Sequence, residues 1–121
     1  MKKILFIEDE KFVAELVTEE LRAAGFEVFL AEDGEMGLQK LREEKPNILL
    51  LDILLPGIDG YEVLKQMTAD PELSKIPVIV LSNLGQADQI ERAMALGAKD
   101  FLVKANCSPA VIINKVNQYI K

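Results

Sequence analysis

The chain has 121 residues, half of them hydrophobic, which is enough for one compact domain with a full core but not for two domains. Twenty acidic residues against 14 basic ones leave a net charge of −6, which argues against direct binding to nucleic acid, because phosphates attract basic surfaces. One cysteine excludes an internal disulfide, and the absence of histidine excludes serine–histidine–aspartate catalysis and the usual catalytic zinc site.

The apolar segments are too short for export or membrane insertion. The opening stretch MKKILFIEDE reaches three acids before it could form the apolar region of a signal peptide. Asp52 and Pro56 interrupt the most apolar run of the chain. A single cysteine also fits a reducing compartment, so we expect a cytoplasmic protein without membrane insertion.

Short apolar runs alternate with segments that have the period of an amphipathic helix. The runs predict five strands, at 2–8, 26–31, 47–53, 77–82 and 100–104. Helices are predicted at 11–23, 35–44, 60–69, 87–96 and 109–119. Ser108 and Pro109 suit the N-cap and first residue of the last helix. The first helix is expected to place one face toward the core, formed by Phe12, Val13, Leu16, Val17 and Leu21.

This strict alternation predicts a doubly wound α/β fold with a five-stranded parallel sheet, a flavodoxin-like (βα)5 domain over residues 1–121. The expected strand order is 2-1-3-4-5, which makes the first and third strands neighbours. Ligands of such sheets bind outside the carboxyl ends of the strands.

Asp52 lies inside the most apolar run, NILLLDILLPG at residues 47–57. An ionised acid in such a strand is costly unless it is paired or bound to a metal. Glu8 and Asp9 end the neighbouring first strand, so three acids are expected to converge, and they need a cation to stay ionised together. Oxygen ligands without cysteine or histidine favour Mg²⁺, with Mn²⁺ or Ca²⁺ as alternatives.

Two further side chains are expected at the same edge of the sheet. Lys104 ends the fifth strand and Ser82 the fourth, so they add a positive charge and a hydroxyl. Both groups suit a phosphoryl oxygen. With a metal at the site, the Asp52 carboxylate can attack phosphorus and form an aspartyl phosphate.

The motifs FIEDE, LLLDILLPGIDG, VIVLS and GAKDFLVK occur in order along the whole chain. Together they resemble the receiver domain of two-component response regulators, of the stand-alone chemotaxis type. The resemblance implies that Asp52 is the phosphoacceptor. It also implies a Mg²⁺ site formed by Glu8, Asp9, Asp52 and the backbone carbonyl of Leu54.

The resemblance further implies that Lys104 binds the phosphoryl group, that Ser82 closes on it and that Phe101 turns inward as the switch aromatic. The donor would be a phosphohistidine on a sensor histidine kinase or a phosphotransfer protein. We expect it to dock on the first helix near Ala14 and Thr18. The domain would catalyse its own phosphorylation and slow dephosphorylation without being a conventional enzyme. The fourth helix, fifth strand and fifth helix would then signal to a downstream protein target or to an output domain outside this sequence.

Two positions depart from the family pattern. Ala105 follows Lys104 where the family usually has a proline in cis, so we expect either a trans bond with a shifted loop or a strained cis bond. Asn83 follows Ser82 where a small alanine is common, and its larger side chain could restrict access or change the lifetime of the phosphate. These departures keep open a pseudo-receiver, which would bind partners without being phosphorylated.

Simpler interpretations and other functions also fit parts of the pattern. Asp9 alone suits the N-cap of the first helix, and Phe101 a core position. A flavin-binding electron carrier would need a glycine- or hydroxyl-rich phosphate cradle where this chain has acids. An aspartate-dependent phosphatase would carry its nucleophile on the first strand. A P-loop enzyme is excluded, because its phosphate-binding motif is missing.

Overall fold

The computed structural model describes residues 1–83 and 85–120. In these ranges strands and α-helices alternate as β1 (Lys3–Ile7), α1 (Lys11–Ala23), β2 (Glu27–Ala31), α2 (Gly34–Glu44), β3 (Ile48–Leu51), α3 (Gly60–Ala69), β4 (Val78–Ser82), α4 (Ala87–Ala95), β5 (Asp100–Val103) and α5 (Pro109–Tyr119). All ten predicted elements are confirmed, with ends that shift by at most two residues. Two short 3₁₀ turns were not predicted, at Leu73–Lys75 and Lys104–Asn106. Among the described residues no helix has the length and apolar character needed to cross a membrane.

The strands form one parallel sheet in the order β2-β1-β3-β4-β5, which confirms the predicted topology. Ile7 of β1 lies opposite Leu51 of β3. The backbone amide of Asp52 continues this pairing and donates to the carbonyl of Ile7 at 3.1 Å. The register therefore brings the residues that follow β1 and β3 to the same point of the sheet edge.

Two apolar layers enclose the sheet. Leu49 and Leu51 face one layer, which α2 and α3 cover, whereas Ile48 and Leu50 face the other, which α1 and α5 cover. These four residues of β3 have no exposed surface. Burial on both faces explains why β3 is a continuous apolar run and not an alternating one.

The predicted apolar face of α1 is partly wrong. Val17 and Leu21 are buried as expected, but the side chains of Phe12 and Leu16 are 78% and 44% exposed. Ala14 and Thr18 are buried instead, which contradicts the exposed docking face expected near them. Two residues along an α-helix turn it by about 200°, so Phe12 and Leu16 point away from the side that carries Ala14 and Thr18.

Candidate functional site

The turn between β1 and α1 carries three consecutive acids. Glu8 is 2% exposed, whereas Asp9 and Glu10 lie at the surface. Glu10 is the N-cap of α1, and its side chain makes no capping hydrogen bond. The simpler interpretation of Asp9 as the N-cap is therefore wrong. The backbone amide of Glu10 donates to Glu8 Oε2 at 3.3 Å, which holds the buried carboxylate at the end of β1.

Glu8, Asp9 and Asp52 form a cluster in which one carboxylate oxygen of each lies within 4.8 Å of the other two. Asp52 is 4% exposed and shares this burial with Glu8. Glu8 Oε1 is buried, and its partner is the ammonium group of Lys104. Three converging carboxylates fit a hard divalent cation, because such cations prefer oxygen ligands.

Lys104 supplies the positive charge next to this cluster. Its ammonium nitrogen pairs with Glu8 Oε1, lies 3.0 Å from Asp52 Oδ2 and lies 4.0 Å from Glu10 Oε2. The side chain is 11% exposed. The peptide bond between Lys104 and Ala105 is trans, and Lys104 starts a 3₁₀ turn, so the first of the two predicted alternatives for this bond is correct.

The pKa values of Glu8 and Lys104 are both raised in this site. Burial raises the pKa of Glu8 to about 7, and although the hydrogen bond from Lys104 lowers this pKa, the neighbouring Asp52 raises it further. Burial lowers the pKa of Lys104, but the hydrogen bonds with Glu8 and Asp52 outweigh this effect and raise the pKa above its ordinary value. Lys104 therefore stays charged at neutral pH, whereas the raised pKa of Glu8 leaves its carboxyl group partly protonated there.

The turn after β3 fixes the orientation of Asp52. The amide of Leu54 donates to Asp52 Oδ1 at 3.3 Å, opposite the oxygen that Lys104 contacts. Gly60 starts α3 so close to this strand end that a Cβ atom there would lie 2.4 Å from the carbonyl oxygen of Asp52. The Asp59 side chain caps α3 by accepting from the amide of Glu62 at 3.0 Å. The tight turn predicted around Asp59 and Gly60 thus holds Asp52 against the start of α3.

A cavity of about 220 Å³ opens beside Asp52, and we call it the acidic cavity. Its lining residues are Asp9, Glu10, Asp52, Leu54, Asn83 and Lys104. Ser82 is fully buried at the end of β4, opposite Val103, so Asn83 and not Ser82 faces the cavity. Phe101 is half-buried and packs against the core layer that also contacts α3 and α4. Neither Ser82 nor Phe101 lines the acidic cavity.

Similarity to known proteins is consistent with this geometry. The family described as the response regulator receiver domain matches residues 4–117. Protein PilH of Pseudomonas aeruginosa is 36% identical over 86% of this chain and 86% of its own length. The phosphate regulon transcriptional regulatory protein PhoB of Rhizobium meliloti is 34% identical over 93% of this chain, which spans 49% of PhoB.

Solved structures agree in fold along the whole chain. The BeF₃-activated N-terminal receiver domain of RstA from Klebsiella pneumoniae has a TM-score of 0.92 and 27% identity, covering 99% of both chains. The Mn²⁺-bound form of the response regulator Rcp1 has a TM-score of 0.84 and 29% identity, covering 98% of this chain and 94% of Rcp1.

The chain belongs to the response regulator receiver domain family. Receiver domains are phosphorylation-dependent signalling switches of two-component systems and not conventional enzymes. They bind a divalent metal through acidic residues, and they interact with histidine kinases or phosphotransfer proteins and with downstream targets. The acid cluster and lysine of this receiver domain lie where the sequence predicted them.

Sequence reasoning missed a second depression, which we call the α1–α5 cleft. It measures about 340 Å³ and shares Glu10, Asn83 and Lys104 with the acidic cavity. The rest of its lining is mostly apolar and comes from Val13, Leu16, Val17, Leu81, Ala105, Cys107, Pro109 and Ile112. Glu10 directly follows Asp9, and Asn83 directly follows Ser82, both of which were predicted for the site. This adjacency was the sequence signal that could have pointed to the shared rim.

Proposed function

We propose that residues 1–121 act as one receiver domain that accepts a phosphoryl group on Asp52 and changes its binding to partners as a result. The observation that carries this proposal is the convergence of Glu8, Asp9, Asp52 and Lys104 at one edge of the sheet. Family membership favours this role over the flavin carrier and the phosphatase, neither of which requires this set of side chains.

The residues that would hold the divalent cation are Glu8, Asp9, Asp52 and the backbone carbonyl of Leu54. The cation is proposed to be Mg²⁺, with Mn²⁺ as an alternative, and the Mn²⁺-bound form of Rcp1 supports this choice. When bound, such a cation offsets the repulsion among the carboxylates and the charge that develops on a transferring phosphoryl group. The convergence of three carboxylates, with one oxygen of each within 4.8 Å of the other two, supports a cation at this position.

Asp52 is the proposed nucleophile, because its carboxylate is held from both sides by Lys104 and by the amide of Leu54. In the transfer, the phosphorus–nitrogen bond of a phosphohistidine breaks, a phosphorus–oxygen bond to Asp52 forms, and the imidazole leaves with the electron pair. Lys104 would exchange its contact with Asp52 Oδ2 for a phosphoryl oxygen. We further propose that Ser82 then closes on the phosphoryl group and that Phe101 turns inward.

The donor is proposed to be a sensor histidine kinase or a phosphotransfer protein in the cytoplasm. Its docking face is better assigned to Phe12 and Leu16 than to Ala14 and Thr18, because the first two are exposed and Leu16 lines the α1–α5 cleft. Exposed apolar side chains on the helix that follows the acidic turn suit a partner that must approach Asp52 closely.

The output surface is proposed to be the face of α4, β5 and α5. Met94 and Val111 leave large apolar side chains exposed there, at 43% and 38%. A downstream protein target or an output domain would bind this face, with no direct contact to nucleic acid or membrane by this domain.

Intact mass measurement tests this proposal. Incubation with Mg²⁺ and acetyl phosphate should add one phosphoryl group to the wild type and to a control variant, Asp88→Asn, in which an acid of α4 is removed. No adduct should form on Asp52→Asn or when a chelator replaces Mg²⁺. An adduct that persists on Asp52→Asn would show that another residue is the acceptor.

The pseudo-receiver is the second candidate, and it is favoured by the position of Asn83 at the cavity in place of Ser82. It predicts a folded protein that gains no adduct from acetyl phosphate or from any phosphorylated histidine donor. The same protein would still bind partners through the face of α4, β5 and α5.

A further inference from the structure

Glu10 holds a negative charge at the point where the acidic cavity meets the α1–α5 cleft. It lines both depressions, and its Oε2 atom lies 4.0 Å from the ammonium nitrogen of Lys104. Its side chain is 62% exposed and makes no capping hydrogen bond, so its carboxylate is not needed to cap α1. The position of this charge therefore suggests that Glu10 influences which anions enter the acidic cavity.

Before a cation binds, the described residues around the acidic cavity carry more negative than positive charge, and a bound cation offsets mainly the charge of the three clustered acids. Glu8, Asp9, Glu10 and Asp52 face one ammonium group, that of Lys104, which already pairs with Glu8 and Asp52. Glu10 differs from the other three acids because it lies outside the cluster that is proposed to hold the cation. An anion near the shared rim lies close to the Glu10 carboxylate, which lines both depressions, and the repulsion grows with the charge of that anion.

We propose that Glu10 is a specificity-determining residue that disfavours doubly charged small phosphodonors at Asp52. The inference rests on the proposed phosphorylation of Asp52 and adds selectivity to it. Two effects act in the same direction: the carboxylate repels the donor, and it competes with the donor for Lys104. A protein donor can offset this repulsion through apolar contacts with the cleft, whereas a free acyl phosphate has no such contacts.

Two small donors of different charge test the inference on the intact domain with Mg²⁺. Acetyl phosphate is a dianion at neutral pH, and its reaction breaks the phosphorus–oxygen bond, forms the bond to Asp52 and releases acetate. Phosphoramidate is a monoanion, and its reaction breaks the phosphorus–nitrogen bond and releases ammonia. Rates of adduct formation are measured by intact mass for the wild type, for Glu10→Gln and for Glu19→Gln. The last variant removes an exposed acid of the same helix that lines neither depression.

Glu10→Gln should react with acetyl phosphate about threefold to tenfold faster than the wild type, a range consistent with local electrostatic steering. Its gain with phosphoramidate should be smaller, and Glu19→Gln should match the wild type with both donors. The gain should shrink between about 0.05 M and about 0.5 M salt, where the screening length falls roughly threefold. Adduct on Glu10→Gln but not on the wild type would also support the inference.

Equal rates for Glu10→Gln and the wild type, in proteins that are both phosphorylated, would overturn the inference and leave the proposed function intact. An equal gain with both donors that salt does not change would overturn it too, because it would indicate a repositioned Lys104 in place of charge selection. No adduct on any variant with either donor, in proteins shown to be folded, would overturn the inference together with phosphorylation of Asp52 by small donors.

Discussion

Helices α3 and α4 are neighbours in the fold, but they are attached to it by different interactions. α3 buries Tyr61, Val63, Leu64 and Met67, and Gly60 at its start fits against the backbone of Asp52. Along the described residues of α4, Ala93 is the one that is buried. The apolar core therefore fixes α3, whereas α4 has little core contact to hold it in place.

Polar contacts with Tyr61 of α3 help to attach α4 to the fold. The Arg92 guanidinium lies 3.9 Å from the centre of the Tyr61 ring, and the Tyr61 hydroxyl donates to the carbonyl of Gln89 at 3.4 Å. A cation–π contact of this kind contributes about 0.5 to 2 kcal/mol. Full burial of one large apolar side chain contributes about 1.5 to 3 kcal/mol, and α3 buries several of them. The difference predicts that α4 can be displaced at lower cost than α3.

Truncation of the core side of α3 should have the largest effect. Leu64 is fully buried, so Leu64→Ala should lower the free energy of unfolding by about 2 to 5 kcal/mol through lost apolar burial and a residual cavity. Met94→Ala on α4 is the control, and since Met94 is 43% exposed, its cost should stay below about 1 kcal/mol. Urea unfolding of both variants measures these values. Similar losses would show that α4 is held by core burial after all.

The buried acid of the site should give an intermediate effect that depends on pH. Burial raises the pKa of Glu8 from an ordinary 4.5 to about 7, so between these values the folded state binds more protons than the unfolded state. The contribution of Glu8 to the free energy of unfolding is complete at low pH and is lost as the pH rises from 4.5 to about 7 and beyond. In metal-free protein, the free energy of unfolding of the wild type relative to Glu8→Gln should fall by about 1 to 3 kcal/mol between about pH 5 and about pH 8.

The control for this titration is Glu19→Gln, which removes an exposed acid of α1. Its free energy of unfolding should follow that of the wild type across the same pH range. If the wild type and Glu8→Gln instead show parallel pH profiles, the buried carboxyl does not carry the raised pKa.

The strands and the acid cluster could be predicted because each rests on a strong local signal. A run of apolar residues that is buried on both faces can be recognised as a central parallel strand, and an acid within such a run is rarely buried without a charged partner. The carboxyl ends of parallel strands lie at the same edge of the sheet, and this rule places Glu8 next to Asp52. The register of Ile7 with Leu51 agrees. Lys104 follows from the same rule at the end of β5.

The remaining details depend on contacts that no local pattern encodes. α1 carries two apolar rows, one with Phe12 and Leu16 and one with Val17 and Leu21, and periodicity cannot tell which row meets the sheet. At a strand end, successive side chains point to opposite sides, so a shift of one residue decides whether Ser82 or Asn83 faces the cavity.

Removal of the stacked cation should have the smallest effect, and it should be local. Arg92→Ala deletes the group that lies over Tyr61, so the amides of α4 should exchange hydrogen about twofold to tenfold faster while those of α3 stay unchanged. Lys65→Ala is the matched control, since Lys65 and Arg92 line one cavity between α3 and α4. Hydrogen–deuterium exchange with mass spectrometry resolves the two helices. Faster exchange in α3 as well would mean that the two helices open as one unit, and α4 could then not move independently of the helix that holds Asp52.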